Sequence, residues 1–396
     1  MNVLYISNSL PYESVRHAGG KTFNYYVNNI ANSDNCKVKV IGLCKKDELK
    51  KIDRQGNIEL FPVITRGDLF TNIKRVLTDV YGKIFRMPKC DGSYYKYKYI
   101  FNQVNEISFS PDIIILEWTN MVLLCDYVRK IFPKAKILAS EHDVNFLGLY
   151  RKYEITKTKK SLKYYKKEKN KELNALNSCD KVLVQNNKDK DLLVDNGIDE
   201  KSISVISPFY HDMSMIKRKN INNDLLFWGA MYRSENYEAA IWFIKNVMPL
   251  LADINVRFII AGNRPPNKLK ELQSNNIVVT GFVEDETELF EHSLCFVSPL
   301  LTGAGIKVKI IEAMSSGIPV LTNNIGIEGI YAKKGLDYYH CESAEDYSRV
   351  IRKLIIEGEN EKSLISRKSL IQNNYNLRLS ADNYLKIFNE MIGETK

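Results

Sequence analysis

The chain has 396 residues, a hydrophobic fraction of 44% and a formal net charge of +10. That length exceeds what one compact core serves and points to about two domains. The composition is that of a soluble globular protein, and no apolar run is long enough to span a bilayer. The charge favours an anionic partner, whether nucleic acid, an acidic lipid surface or a phosphorylated substrate, without choosing among them. Seven scattered cysteines, odd in number and never at C-x-x-C spacing, read as reduced core thiols. The first strand begins at Asn2 without the zones of a signal peptide, so a cytoplasmic protein is expected.

In chain order, Asn2 to Ser7 reads as a buried strand, and residues 8–20 as a loop ending in Gly19-Gly20 before a helix from about Lys21 to Asn32. Further strands are expected at Lys37 to Leu43, Ile58 to Ile64, Asp112 to Glu117, Lys136 to Ala139, Lys181 to Gln185 and Ser202 to Ile206, mostly separated by helical spacing. The alternation implies an α/β fold with a parallel sheet, whose pockets open at the carboxyl ends of the strands. At one such end lies Glu141-His142-Asp143. The histidine there suits hydrogen bonding or proton transfer to a substrate; equally, Asp143 suits capping the next helix while His142 packs in the loop.

Basic residues concentrate in this half. From Arg151 to Glu172 there are ten lysines and arginines against three glutamates, interleaved with tyrosines, and a second aromatic and basic segment runs from Leu69 to Phe101. Both suit an anionic lipid surface, and the first also suits the wet face of a long helix. Asp189-Lys190-Asp191 has the letters of a metal-binding pair but sits at the start of a helical pattern, where it reads as a solvated cap.

Residues 208–223, with Pro208 and the basic triplet Lys217 to Lys219, form the expected linker between domains at 1–207 and 224–379. Alternation then restarts: Leu225 to Trp228 meets Gly229, a helix runs from about Ser234 to Leu251, Arg257 to Ala261 enters Gly262-Asn263-Arg264, and Ile277 to Thr280 meets Gly281-Phe282-Val283. The most informative stretch is Leu294 to Thr322, read as strand, small-residue turn at Thr302 to Gly305, helix from Ile306 to Ser316, and strand from Ile318. Gly303 and Gly305 let backbone approach a ligand, and a helix N-terminus behind them favours an anion. Lys309 and Glu312 share one helix face. A lysine answers phosphate and an ionised glutamate answers a pair of sugar hydroxyls, which together describe a nucleotide; the same two residues also fit a solvated ion pair. The last segment, from about Leu364 to Ile392, reads as two helices with apolar faces.

The run from Ile259 to Val320 (IIAGNRPP, VTGFVED, SPLLTGAGIKVKIIEAMSSGIPV) closely resembles the nucleotide-sugar-binding half of GT-B-fold glycosyltransferases of family 4, which are retaining and metal-independent. Gly19-Gly20 and Glu141-His142-Asp143 resemble weaker family features of the first half. The resemblance implies two Rossmann-like doubly wound domains facing each other across a cleft, with a last helix (about 380–396) crossing back to the first domain. It implies that Glu312 binds the donor ribose and Lys309 neutralises the diphosphate, with the turn Thr302, Gly303, Ala304, Gly305 and Ile306 facing phosphates and sugar. Phe282 and Val283 would face the base, Gly262 would line the donor site, Gly19 and Gly20 would approach the diphosphate, and His142 would contact the transferred sugar. Two departures stand out. Ala304 occupies a position where many members have glutamate, and the basic pair after the first strand of the second domain is out of register, leaving Arg233, with Arg264 and Lys307, as the nearest cations.

The resemblance therefore implies transfer of a hexose-type sugar from a UDP- or GDP-linked donor to a saccharide acceptor, with retention, no metal and no cofactor beyond the donor substrate. Joined to the basic aromatic segments, it leads to a lipid-linked acceptor and a peripheral position on the cytoplasmic face of a membrane. A NAD site is disfavoured because Val308 stands where G-x-G-x-x-G needs its third glycine and Glu328 lies beyond the next strand. A nucleic-acid-binding role leaves Lys309 and Glu312 without a task. A sugar-nucleotide epimerase of the same fold is the nearer alternative.

Overall fold

In the computed structural model, which describes residues 1–393 apart from 16, 34–35, 53–56 and 304, the apolar runs form two all-parallel sheets. The first comprises β1 (Asn2–Ser7), β2 (Lys37–Lys45), β3 (Ile58–Arg66), β4 (Ile113–Glu117), β5 (Lys136–Ser140), β6 (Lys181–Val184) and β7 (Ile203–Val205), in the order β3-β2-β1-β4-β5-β6-β7. The second comprises β8 (Asn222–Trp228), β9 (Arg257–Ala261), β10 (Ile277–Gly281), β11 (Ser293–Ser298), β12 (Val320–Thr322) and β13 (Tyr339–His340), in the order β10-β9-β8-β11-β12-β13. Strands covered by helices on both faces carry continuous apolar runs rather than alternation, and Val3 to Ile6 and Ile113 to Leu116 are fully buried in this way. In each sheet the chain winds out to one edge and then returns to the other side of its first strand. The crevices where strand order reverses lie between β1 and β4 and between β8 and β11.

The chain divides into two units, Met1–Phe209 with Leu377–Lys396, and Tyr210–Asn376. Residues 206–221 form no helix or strand. The last helix, Leu377–Ile392, belongs to the first unit, as a chain that crosses back requires. Tyr384 and Phe388 enter the core beside Tyr5 and Tyr26. The Tyr25 hydroxyl donates to the Leu377 carbonyl at 2.8 Å, and the Tyr26 hydroxyl lies 2.5 Å from Ser380 Oγ.

Several local expectations are corrected. The first helix is Ala18–Ala31, so Gly19 and Gly20 lie in its first turn rather than at the end of a loop, and His17 is the cap, its Nδ1 accepting from the Gly20 amide at 2.9 Å. The helix after β8 ends at Asn246, and a 3₁₀ turn, Met248–Leu251, follows, because Pro249 has no amide to continue the ladder. Asp143 caps nothing in the observed helix Asn145–Thr156, whose first amides, of Asn145 and Phe146, donate to Glu172 at 2.9 Å each. Asp189 is no solvated cap either: Asn186 caps helix Asn187–Asp195, and Asp189 is buried, its carboxylate accepting from Asn186 Nδ2 at 2.8 Å. The run Arg151 to Glu172 spans the end of one helix and most of the next, Lys159–Asn177, whose Glu172 and Leu176 are buried while Lys159, Lys160, Lys163, Lys166, Lys167 and Lys171 are exposed.

Glu172 also sets a pH dependence. Burial pushes its carboxyl up to about 8. Burial, followed by repulsion from Glu172, likewise raises Glu141, whose Oε2 accepts from Thr119 Oγ1 at 2.6 Å. A carboxyl raised on folding holds its proton in the native state while the unfolded chain has lost it, so stability falls as pH rises from the ordinary carboxylate range towards 8. Calorimetric Tm should decline across that window, and Glu172→Gln, which cannot ionise, should flatten the decline.

Candidate active site

In the second unit the loop after β11 meets a short helix, Val308–Ser315. The helix begins two residues later than its apolar spacing implies, because Gly305 at φ +66° and Lys307 at ψ 86° hold the chain outside helical geometry. Thr302, Gly303, Gly305, Ile306 and Lys307 therefore form an open turn, with Gly303 at φ +143°, a conformation other residues rarely adopt. Ala304 lies outside the described residues. Ile310, Ile311, Ala313 and Met314 bury the opposite helix face completely, which fixes the rotation that turns Lys309 towards the end of β8 and Glu312 towards the His211 amide.

The two polar residues take separate partners. Lys309 Nζ sits 4.4 Å from the centroid of the Phe227 ring, at the end of β8, and donates to Asn236 Oδ1 at 2.7 Å. Asn236 is oriented by its own amide, which donates to the Ala230 carbonyl at 3.0 Å. Glu312 is buried, and its Oε1 accepts the His211 amide at 3.2 Å. Burial above all, with repulsion from Lys307 and Arg233 and against the attraction of Glu235, lowers the Lys309 pKa to about 7. Like charges gathered around an enclosed ammonium are what an anion-binding site looks like before its anion arrives.

The remaining cations are partly committed. Lys307 donates to the Gly305 carbonyl at 2.5 Å and lies 3.9 Å from Glu328. Arg233 pairs with Glu235 and is half exposed. Arg264, at φ +50°, stacks its guanidinium 4.7 Å from the centroid of Tyr232. Gly262 packs on the Gly229 carbonyl. Phe282 follows β10 with its ring exposed, beside the half-buried Val283. The structure thus gathers Arg233, Lys307 and Lys309 electrostatically. It adds Asn236, Phe227, Tyr232 and the His211 amide, which the sequence reading did not single out; the position of Asn236 in the first turn after the β8 crevice was the available signal.

In the first unit His142 stacks on Trp118 at 4.4 Å between centroids and 13° between planes. Its Nε2 is 2.9 Å from Glu117 Oε2, and its Nδ1 is 2.9 Å from Gln185 Nε2. Gln185 can only donate through that nitrogen, so Nδ1 accepts and Nε2 carries the proton towards Glu117. Both ring nitrogens are engaged by neighbours that lie at the ends of β4 and β6. Gly19 is close by: a Cβ there would come within 3.3 Å of both Trp118 and His142, so only glycine leaves this corner open. Gly20 has the role described above, inside the helix cap.

Residues 222–357 match the family of glycosyl transferases group 1. A Klebsiella pneumoniae protein named only as an uncharacterized 44.6 kDa protein in a cps region is 28% identical over 252 residues, and the match covers 61% of each chain. Among solved structures, HepE of Anabaena in complex with UDP superposes with a TM-score of 0.69 at 11% identity, covering 98% of this chain and all of that one. Sucrose-phosphate synthase from Thermosynechococcus elongatus gives 0.72 at 13% identity, covering both chains fully. At such identities the superpositions speak for the fold, and the family match speaks for the unit that holds Lys309 and Glu312. The chain has the GT-B fold, and most of its second unit is similar to the group 1 glycosyl transferases.

Proposed function

We propose that the protein transfers a hexose-type sugar from a UDP- or GDP-linked donor to a saccharide acceptor carried on a lipid, at the cytoplasmic face of a membrane, in assembly of a cell-surface polysaccharide or glycan. The observation that carries this reading is the half-buried Lys309, held by Asn236 and against the Phe227 ring, one helical turn from the buried carboxylate of Glu312. In the reaction the bond between the anomeric carbon and the diphosphate breaks, the acceptor oxygen bonds to that carbon, and the acceptor proton passes to a phosphate oxygen of the leaving group. Negative charge grows on the diphosphate, and Lys309, the N-terminal end of its helix and Arg233 stabilise it without a metal. Retention and attack on the same face come from the family resemblance. The UDP bound by HepE supports a nucleotide-linked donor, the cps region of the Klebsiella relative supports a polysaccharide product, and the net charge supports a membrane.

Incubation with a panel of nucleotide sugars, with and without membrane lipid extract, tests the proposal. Acceptor-dependent nucleotide release is expected. An isomerised nucleotide sugar formed without acceptor would make the protein an epimerase instead. With the donor identified, Glu312→Gln should weaken its binding by about 1.5 to 3 kcal/mol, roughly ten- to a hundredfold in Kd by calorimetry, while leaving turnover at saturation less affected.

A further inference from the structure

Helix Leu69–Ile84 is turned inside out. Its polar residues Thr71, Asn72, Arg75, Thr78 and Asp79 face the protein with the buried Gly82, while Leu69, Phe70, Ile73, Val76, Leu77, Val80, Tyr81 and Ile84 are exposed, from 50% at Ile73 to 75% at Leu69 and Phe70. At about 100° per residue these eight side chains fill one continuous stripe roughly 140° wide. The inward face is fixed. Asp79 accepts from Ser93 Oγ at 3.0 Å and from the Tyr95 amide at 2.9 Å, and a Cβ at Gly82 would overlap the Tyr94 ring. Rotating the helix to hide its apolar stripe would break these contacts.

An apolar surface of this extent on a folded unit is a contact surface. Its charge identifies the partner. The exposed charged residues from 69 to 89 are Lys74, Lys83, Arg86 and Lys89, all basic, and the single acid of the segment, Asp79, is turned inward. Lys74 and Lys83 lie along opposite edges of the stripe. A second copy of this chain placed face to face would set these lysines against each other. Anionic headgroups would neutralise them while acyl chains cover the stripe. We propose that helix Leu69–Ile84 lies in the plane of an anionic bilayer surface, with its apolar stripe inserted below the headgroups. No helix among the described residues is long and apolar enough to cross a membrane, and this one, about 24 Å long, is suited to lying along its surface.

The inference deepens the lipid-acceptor reading by naming the contact surface, and it is tested without donor or acceptor, so its failure is distinct from failure of the transfer assay. Purified full-length protein is floated with vesicles of phosphatidylcholine alone or mixed equally with phosphatidylglycerol. Binding to the mixed vesicles is expected. Leu77→Asp should lower the partition constant at least tenfold, and Arg86→Ala about fivefold with a weaker salt dependence. Both sites are exposed, so unchanged Tm will show that the variants fold. Leu77→Asp floating like the parent would overturn insertion of this helix. Dimers in solution that Leu77→Asp dissociates, without vesicle binding by the parent, would assign the stripe to a second copy instead.

Discussion

Lys309→Ala should lower turnover by roughly two to three powers of ten while leaving the fold intact. One preorganised donor to a departing oxyanion contributes about 3 to 4 kcal/mol to the transition state, because an enclosed charge acts there without reorganisation of water. Lys309 meets both conditions: its ammonium is desolvated, and Asn236 and Phe227 hold it in place. The free protein already bears the cost of that enclosure, visible as a pKa lowered to about 7 by burial and by Lys307. A bound diphosphate reverses the balance and favours the charged lysine. Donor binding should then take up a proton when measured above pH 7, and affinity should weaken as pH rises from 7, by up to about tenfold per unit until the pKa of the complex is reached. An intact nucleotide sugar is the proper probe, since its diphosphate does not itself titrate in that range. Calorimetry in buffers of different ionisation enthalpy reads the proton directly. The slope should vanish in Lys309→Ala; a variant that keeps both the slope and its turnover would move the diphosphate elsewhere.

The parts of this site that could be read from the sequence are the local ones. Lys309 and Glu312 stand one helical turn apart, so their shared face follows from spacing, and the strands were legible because sheets covered on both sides demand unbroken apolar runs. Their partners were not legible. Asn236 lies 73 residues from Lys309 and meets it where strand order reverses between β8 and β11; the His211 amide, 101 residues from Glu312, comes from the connecting segment; and Glu117, 25 residues from His142, meets it across the neighbouring ends of β4 and β5. Gly19-Gly20 was misread for a related reason. Glycine disfavours helix interiors, but here a Cβ at Gly20 would overlap His17 and Val15, so packing decides against local propensity. The helix Leu69–Ile84 reverses the usual rule that apolar stripes face inward, and its orientation rests on Asp79 and Gly82, whose partners lie on the next helix.

Gly262→Ala is expected to be the most damaging single substitution in the second unit outside its helices. Two penalties combine. Gly262 sits at φ +147°, a region that costs an L-residue about 1 to 3 kcal/mol, and a Cβ there would overlap the Gly229 carbonyl oxygen, which is backbone and cannot rotate away. The two glycines are also laced into the sheet. The Gly229 amide donates to the Ala261 carbonyl at 3.0 Å, and the Gly262 amide donates to the Gly281 carbonyl at 2.8 Å, so the ends of β8, β9 and β10 are tied in sequence. Relief of the overlap must displace residues 229–230, and the Ala230 carbonyl orients Asn236, which holds Lys309. A destabilisation of about 3 to 5 kcal/mol, seen as a Tm lowered by roughly 10 °C or more, should come with loss of activity beyond the unfolded fraction. Gly358→Ala supplies the control: its φ is +71°, but nothing lies within 4 Å of the added methyl, so backbone strain acts alone and the Tm should fall far less. Equal Tm losses in the two variants would mean that residues 229–230 yield freely, and the rigid crevice behind Lys309 would then need another source of rigidity than the glycine contact.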